Sequence, residues 1–165
     1  MVESRLKFLA DENIPPVLVT ILRKLNEKSI ESVHGGQYAG QPDEVWLPTV
    51  IKRGYICITC DRRMLAQSGI AQILIDQNAR MIFLGPHFAN SKAWDKAIWL
   101  LRHWHKIKDH ASTMSPGQLV RVHKNGRIIP VTPTTGRRPG RGAQHVRQHK
   151  ASPTAPPDDL LTLLP

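Results

Sequence analysis

The chain has little of what marks a disulfide-bonded, zinc-binding or membrane-spanning protein. Only two of its 165 residues are cysteines, Cys57 and Cys60. Their C-x-x-C spacing is that of half a zinc site, but no second pair exists and Cys57 lies in an apolar stretch, so we interpret them as buried thiols in a reduced cytosol. No apolar run approaches the ~20 residues of a membrane helix, and no secretory signal precedes the first strand. We therefore expect a cytoplasmic protein without membrane contact.

The chain is also poor in acidic residues and in motifs for nucleotide or base recognition. It carries 23 Lys and Arg against 13 Asp and Glu, a net charge of +10. Such a balance favours a polyanionic partner, most often nucleic acid, although a basic tail that only increases solubility is an alternative. The glycine-rich stretch 34–40 lacks the G-x-G-x-x-G and G-K-[ST] patterns that hold phosphates. No module with stacking aromatic residues for reading RNA sequence is present.

The short stretch 7–16 organises the rest of the chain. The apolar run 8–10 is typical of a buried strand, and it stops at two adjacent carboxylates, Asp11 and Glu12. Two prolines then follow, which suit the first turn of a helix because that position needs no backbone donor. Asp11 and Glu12 are therefore expected at the carboxyl end of the first strand, where open α/β sheets bind ligands. Carboxylates in that place either cap the next helix or hold a cation.

Apolar strands alternate with amphipathic helices along the first 110 residues. The patterns predict strands over 8–10, 29–33, 55–59 and 80–84 and helices over 15–27, 41–53, 70–78 and 91–108. In the last helix we expect Ser91 to be the cap and Trp94, Ile98, Leu101 and Trp104 to face inward. The alternation predicts a three-layer α/β/α sandwich with a mostly parallel sheet.

The pattern changes after residue 110. An Asn-Gly pair between two apolar stretches predicts a hairpin over about 118–131. From residue 132 the chain is rich in Pro, Gly and Arg, and it has too few apolar residues to form a core. We therefore predict one domain over 1–131 and a disordered, flexible basic tail over 132–165.

Acidic side chains are expected to meet at one edge of this sheet. Asp11 and Glu12 follow the first strand, Asp61 follows the third, and Asp43 and Glu44 begin a helix near the same edge. Two unit charges 4 Å apart repel by roughly 4 kcal/mol at an effective dielectric constant of about 20. Such a cluster needs protons, cationic side chains or a metal. Hard oxygen ligands suit Mg²⁺ or Mn²⁺, which can activate water for attack on a phosphodiester.

Basic residues offer two interpretations beside this cluster. Arg62 and Arg63 could hold substrate phosphates, or they could neutralise the acids as ion pairs. Farther along, Arg137, Arg138 and Arg141 of the tail could add salt-sensitive phosphate contacts.

A phospho-receiver domain fits only superficially. Its acidic pair and its later aspartate have counterparts in this chain. It also needs a Ser or Thr after the fourth strand and a Lys after a fifth parallel strand, and neither is evident in the sequence. We reject that interpretation.

Three stretches, 8–16, 42–44 and 58–64, resemble the PIN-like nuclease family. They read Phe-Leu-Ala-Asp-Glu-Asn-Ile-Pro-Pro, Pro-Asp-Glu and Ile-Thr-Cys-Asp-Arg-Arg-Met. The similarity is closest to the VapC-like toxins of toxin–antitoxin pairs and covers roughly residues 6–130. The resemblance implies an α/β/α sandwich, RNA cleavage that depends on Mg²⁺ or Mn²⁺, and often inhibition by a cognate antitoxin.

Carried over by position, the resemblance implies Asp11, Glu44 and Asp61 as the catalytic metal-site acids, with Asp43 as the alternative to Glu44. The family often places another acid two residues after the last, in a pattern like Thr-x-Asp-x-Asp-Phe. Here Arg63 occupies that position and a methionine replaces the aromatic residue. This departure leaves open a reduced metal site or a protein that binds RNA without cutting it.

Two hypotheses follow for the function. The first is a Mg²⁺- or Mn²⁺-dependent endoribonuclease, the toxin of a toxin–antitoxin pair, with RNA and a cognate antitoxin protein as partners and a homodimer left open. The second is a catalytically inactive protein of the same fold that binds nucleic acid or a protein partner. A nuclease of this kind needs a bound divalent metal, whereas a silent binder does not.

Overall fold

A six-stranded sheet forms the centre of the protein. The computed structural model describes residues 6–134. Its strands are β1 (Phe8–Ala10), β2 (Ile30–Ser32), β3 (Ile56–Thr59), β4 (Arg80–Leu84), β5 (Leu119–Val122) and β6 (Ile128–Pro130). Its helices are α1 (Pro16–Lys24), α2 (Asp43–Lys52), α3 (Ser68–Asp76), α4 (Pro86–Asn90) and α5 (Ala93–Ser112), with a short 3₁₀ helix at Arg62–Leu65. The strand order is β2-β1-β3-β4-β5-β6, and only the β5–β6 pair is antiparallel.

Helices cover both faces of the sheet. Phe8 and Ala10 of β1 point to one face, where α1, α4 and α5 pack, and Leu9 points to the other face, where α2 and α3 pack. On the first face the ring of Trp104 lies 5.2 Å from that of Phe8, centroid to centroid. Strands that are buried on both sides need apolar residues at every position, which explains the continuous apolar runs. The predicted α/β/α sandwich with a mostly parallel sheet is confirmed.

The C-terminal hairpin is present, and it extends the parallel sheet. β5 and β6 pair around the turn that contains Gly126, whose φ of 76° favours glycine. β5 also pairs in parallel with β4, with Met81 opposite Leu119. The sequence interpretation found no evident fifth parallel strand with a terminal Lys, and β5 is a fifth parallel strand. It was missed because a short, mostly apolar stretch predicts a hairpin strand and a sheet strand equally well. The fourth strand still ends without a Ser or Thr.

The buried face of α5 differs from the predicted one. Trp94 is 77% exposed, and Ile98 and Leu101 are exposed as well, whereas Trp104 is buried as expected. The residues that do face the core repeat at intervals of four, three and four: Leu100, Trp104, Ile107 and Ala111. This stripe covers the C-terminal part of the helix, from Leu100 to Ala111, and the residues of α5 before it are exposed or half-buried.

The start of α5 also differs from the prediction. Lys92, not Ser91, precedes the first helical residue, and no side chain caps that end. Ser91 instead ends α4, where its hydroxyl donates to the carbonyl oxygen of His87. The sequence did not indicate the short helix α4, and Ser91 belongs to its end.

At the amino ends of the strands, Glu27 ties α5 to the loop that leads into β2. Its carboxylate accepts from Nε1 of Trp104 at 3.0 Å and from Nζ of Lys108 at 2.6 Å, and it also accepts from the Ser29 hydroxyl. Burial raises the pKa of Glu27, but the hydrogen bonds from these three residues outweigh that effect and lower it to about 2. This carboxylate is well neutralised.

Two predictions cannot be checked in full on the described residues. The division into a domain over 1–131 and a tail over 132–165 stays a prediction, since residues 135–165 lie outside the part that the structure describes. Within 6–134, no helix is both long and apolar enough to cross a membrane.

Candidate active site

Asp11 is a buried carboxylate without a cationic partner among its hydrogen bonds. It follows β1 directly and is only 2% exposed. One side-chain oxygen accepts from the backbone N–H of Asn13 at 3.0 Å, and the other accepts from the Asn13 amide and the Thr59 hydroxyl. Burial raises its pKa to about 6, the charge of Asp43 adds to this, and the hydrogen bonds only partly oppose it. Acids perturbed in this way by burial are candidates for function.

Thr59 connects Asp11 to the second acidic loop. It is the last residue of β3 and is fully buried. Its hydroxyl donates to the Asp11 carboxylate and accepts from the backbone N–H of Asp61 at 2.9 Å. Because β1 and β3 are parallel neighbours, their carboxyl ends bring Asp11 and Asp61 to the same edge of the sheet. The structure therefore brings together the two acids that the strand pattern placed there.

Arg63 holds both side-chain oxygens of Asp61. Its Nε lies 2.8 Å from Oδ1 of Asp61, and its Nη2 lies 2.7 Å from Oδ2. Its backbone N–H also donates to Oδ1, at 2.9 Å. These hydrogen bonds from Arg63 hold the pKa of Asp61 below its usual value. Of the two interpretations that the sequence left for Arg63, the structure shows the ion pair. Arg62 is exposed and forms no ion pair within the described residues.

Asp43 and Glu44 differ in how they face this edge. Asp43 begins α2 and is half-buried, and its pKa is raised by burial first and then by the charges of Glu44, Asp61 and Glu12. It is also among the charges that raise the pKa of Asp11. Glu44 is exposed. Asp43, the alternative candidate, is therefore the half-buried acid of the two, and its charge acts on Asp11.

Glu12 closes the glycine-rich loop. Its Oε1 accepts from the backbone N–H of Gly40 at 2.8 Å. Its backbone oxygen lies 2.9 Å from Nε2 of His34. Both contacts run to the loop that precedes α2. Its expected part in a metal site stays a prediction.

The two cysteines are thiols, as predicted. Cys57 is fully buried in β3, and burial raises its pKa to about 12. Cys60 is half-buried, and its thiol lies 3.3 Å from the carbonyl oxygen of Asn13. Neither is paired in a disulfide.

The carboxylates fit a hard divalent cation in kind but do not form a complete site in this arrangement. Carboxylate oxygens are the ligands that Mg²⁺ and Mn²⁺ prefer. In the part of the chain that the structure describes, no cationic side chain forms an ion pair with Asp11 or Asp43. Within 6–134, however, no three His, Cys, Asp or Glu side chains lie close enough to hold an ion together. Arg63 also occupies both oxygens of Asp61.

A cavity of about 430 Å³ opens beside Asp61. Four cationic side chains line it: Arg62, Arg63, Lys96 and Arg121. The sequence interpretation did not single out Lys96 or Arg121. Arg121 could have been noticed as the one charged residue within the apolar strand β5, whereas no sequence signal marks Lys96. The predicted contacts of Arg137, Arg138 and Arg141 lie outside the described residues.

The comparison with protein families agrees with this architecture. The model of the family described as "PIN like domain" matches residues 6–86, from β1 to the start of α4. Through that region the chain is similar to the PIN-like domain family, whose fold is of the nuclease type. No curated protein and no solved structure matches the chain. α5 and the hairpin lie beyond the matched region.

Proposed function

We propose that the protein is an endoribonuclease of the PIN-like kind that depends on Mg²⁺ or Mn²⁺. One observation carries this proposal: Asp11 and Asp43, two carboxylates that no cation of residues 6–134 contacts, lie beside Asp61 at the carboxyl edge of the sheet. A fold gains no stability from holding such charges close together, so their function is the simplest reason for their presence. The cation-lined cavity next to them suits a polyanionic substrate.

In this proposal Asp11, Asp43 and Asp61 are the catalytic acids, and Glu44 is not. Bound there, a divalent ion would supply an activated water and stabilise the charge that develops on the phosphate. The residues of the chain would position the acids: Thr59 and Asn13 hold the carboxylate of Asp11 in place. Arg63 must leave Asp61 before that carboxylate is available. Its side chain is 77% exposed, so solvent screens the ion pair and makes the exchange feasible.

The deciding experiment is cleavage of a mixed RNA by metal-stripped full-length protein, with and without added Mn²⁺. We expect cutting only with the metal, and we expect Asp11→Asn to reduce it by about 100-fold or more. Asp76→Asn makes the same chemical change at an exposed position on α3 and should cut like the wild type. Cutting that survives in Asp11→Asn would show that the activity belongs to a contaminant or that the residue assignment is wrong.

A second candidate function is RNA binding without cleavage. The bidentate hold of Arg63 on Asp61 favours it, as does the lack of a three-acid group within the described residues. No cleavage with any divalent metal, together with salt-dependent RNA binding, would support this function and contradict the first.

We also propose that this nuclease is the toxin of a toxin–antitoxin pair. The proposal rests on the motif resemblance to VapC-like toxins. Expression in a bacterial host should arrest growth, and Asp11→Asn should restore it. Growth arrest by both forms would contradict RNA cleavage as the cause. A small protein encoded beside the gene would be the first candidate for the antitoxin.

A further inference from the structure

The cavity beside Asp61 carries far more positive than negative charge. Four basic side chains line its wall, and Asp61 is the one acid among the lining residues. Two amides, Asn13 and Asn90, add neutral hydrogen-bonding groups. A recess of about 430 Å³ with these groups matches a single phosphate and its sugar better than a duplex, which would not enter it.

Of the four cavity cations, only Arg63 forms an ion pair within residues 6–134. Of the other three, Lys96 and Arg121 are half-buried, whereas Arg62 is exposed. Lys96 is half-buried, with its Nζ 5.6 Å from the centroid of the Phe88 ring. Arg121 is half-buried in β5, where it lies opposite Phe83 of β4. Partly buried cations without a carboxylate partner favour an anion at the cavity wall.

Both residues lie outside the region that matches the PIN-like family, which ends at residue 86. The helix α5 and the strand β5 therefore add a feature that the family match does not supply. β5 reaches this place only because it joins the sheet in parallel beside β4.

We propose that this cavity binds a backbone phosphate of single-stranded RNA, with Lys96 and Arg121 as its fixed cations and Arg62 and Arg63 closing over it. The proposal deepens the nuclease function and rests on it for the position of the bond that is cut. Arg63 lines the cavity and also holds Asp61. A phosphate in the cavity would therefore compete with Asp61 for the same guanidinium, so RNA binding would release Asp61.

The test measures binding alone, by fluorescence anisotropy of a short labelled single-stranded RNA on the full chain in EDTA at several salt concentrations. We expect Lys96→Gln and Arg121→Gln each to weaken binding several-fold at low salt. Each should also reduce the slope of log affinity against log salt by about 0.7, the value for one lost phosphate contact on a single strand. Arg121→Lys keeps the charge and should retain the slope.

The matched control is Lys52→Gln, which removes the same charge in the last turn of α2. That residue is exposed and lies roughly 14 Å along the helix from Asp43. If the cavity variants fold normally by circular dichroism and bind like this control, the proposal is overturned. If Arg121→Gln does not fold, Lys96→Gln decides alone.

The outcome can be separated from that of the nuclease proposal. Wild-type protein that never cuts, combined with selective weakening in the cavity variants, would contradict the nuclease and support the phosphate site. Metal-dependent cutting, combined with cavity variants that bind like Lys52→Gln, would support the nuclease and contradict the phosphate site.

Discussion

Glu27 and Asp11 are carboxylates at opposite edges of the same sheet, and their surroundings differ sharply. Glu27, at the amino edge, receives hydrogen bonds from Lys108, Trp104 and Ser29, and its pKa falls to about 2. Asp11, at the carboxyl edge, receives only neutral donors, and its pKa rises to about 6. The surroundings of Glu27 stabilise its charged form, whereas burial destabilises the charged form of Asp11.

This difference separates a structural acid from a functional one. The rise of the Asp11 pKa from 3.8 to about 6 corresponds to a cost on the order of 3 kcal/mol for its charged form at neutral pH. Glu27 connects α5 to the loop before β2, and both of its carboxylate oxygens already accept two hydrogen bonds each. We therefore expect mutations at the amino edge to change stability and mutations at the carboxyl edge to change activity.

The largest expected effect is that Asp11→Asn reduces activity without reducing stability, whereas Glu27→Gln reduces stability without reducing activity. Asp11→Asn should reduce RNA cleavage by about 100-fold or more and leave the free energy of unfolding unchanged or higher at pH 7. Glu27→Gln should lower the free energy of unfolding by about 2 kcal/mol, because it removes a charged hydrogen-bond partner, and cleavage per folded molecule should not change. Urea denaturation and cleavage assays on the same samples check both. If Asp11→Asn lost as much stability as Glu27→Gln, the assignment of Asp11 as a functional rather than a structural acid would be contradicted.

The two acids should also respond to pH in opposite directions. The folded pKa of Asp11 is raised, so its contribution to stability is fully present below about pH 4 and is lost as the pH rises through about 6. The folded pKa of Glu27 is lowered, so its contribution is present above about pH 4.5 and is lost as the pH falls toward 2.

Unfolding free energies measured against pH check this, with each variant subtracted from the wild type. The Asp11 difference should fall by on the order of 2 kcal/mol between pH 4 and 6. A flat difference profile for Asp11→Asn would show that its environment is not as desolvated as the geometry indicates.

A smaller effect should identify the third acid of the carboxyl edge. Asp43→Asn should reduce cleavage by about tenfold or more, since Asp43 is half-buried and lies near the charges of Asp11 and Asp61. Glu44→Gln should stay within about twofold of the wild type, because Glu44 is exposed and losing a solvated charge changes the site little. The opposite result would restore Glu44 as the residue that the motif implied. Initial cleavage rates at saturating Mn²⁺ compare the two directly.

The smallest expected effect concerns Arg63. Arg63→Gln removes the guanidinium from both oxygens of Asp61 and leaves only the backbone N–H on Oδ1. We therefore expect Mn²⁺ to bind severalfold more tightly in the absence of RNA, as measured by electron paramagnetic resonance of free Mn²⁺. Arg62→Gln removes the same charge one residue earlier without freeing Asp61, and it serves as the control. Equal Mn²⁺ affinity in the two variants would show that Arg63 does not limit access to Asp61.

The sequence allowed the position of Asp11 and Asp61 to be predicted because parallel strands end at a common edge. It did not distinguish Asp43 from Glu44, since neighbouring residues on a helix point about 100° apart and only packing decides which one turns inward. The hold of Arg63 on Asp61 depends on a side-chain conformation that spacing does not reveal.

The errors in α5 and β5 have a related cause. α5 has two overlapping apolar stripes, and the stripe through Trp94, Ile98 and Leu101 is regular over only two turns. The stripe that faces the core runs from Leu100 to Ala111, which is about three turns, and its greater length favours it. For β5, its partner β4 lies 35 residues earlier in the chain, and no local pattern identifies such a pairing.

The Thr59 hydroxyl has a consequence for the entropy of ligand binding. A buried β-branched side chain has few rotamers, so the bond from Thr59 fixes Asp11 when the protein folds. Asp61 is held by one backbone N–H, that of Arg63, and by exchangeable contacts with the exposed side chain of the same arginine. Asp11 therefore loses its conformational freedom during folding, whereas Asp61 must give up its partner and reorder when a ligand arrives. Most of the conformational entropy lost when a ligand binds at this edge should therefore come from the loop that carries Asp61.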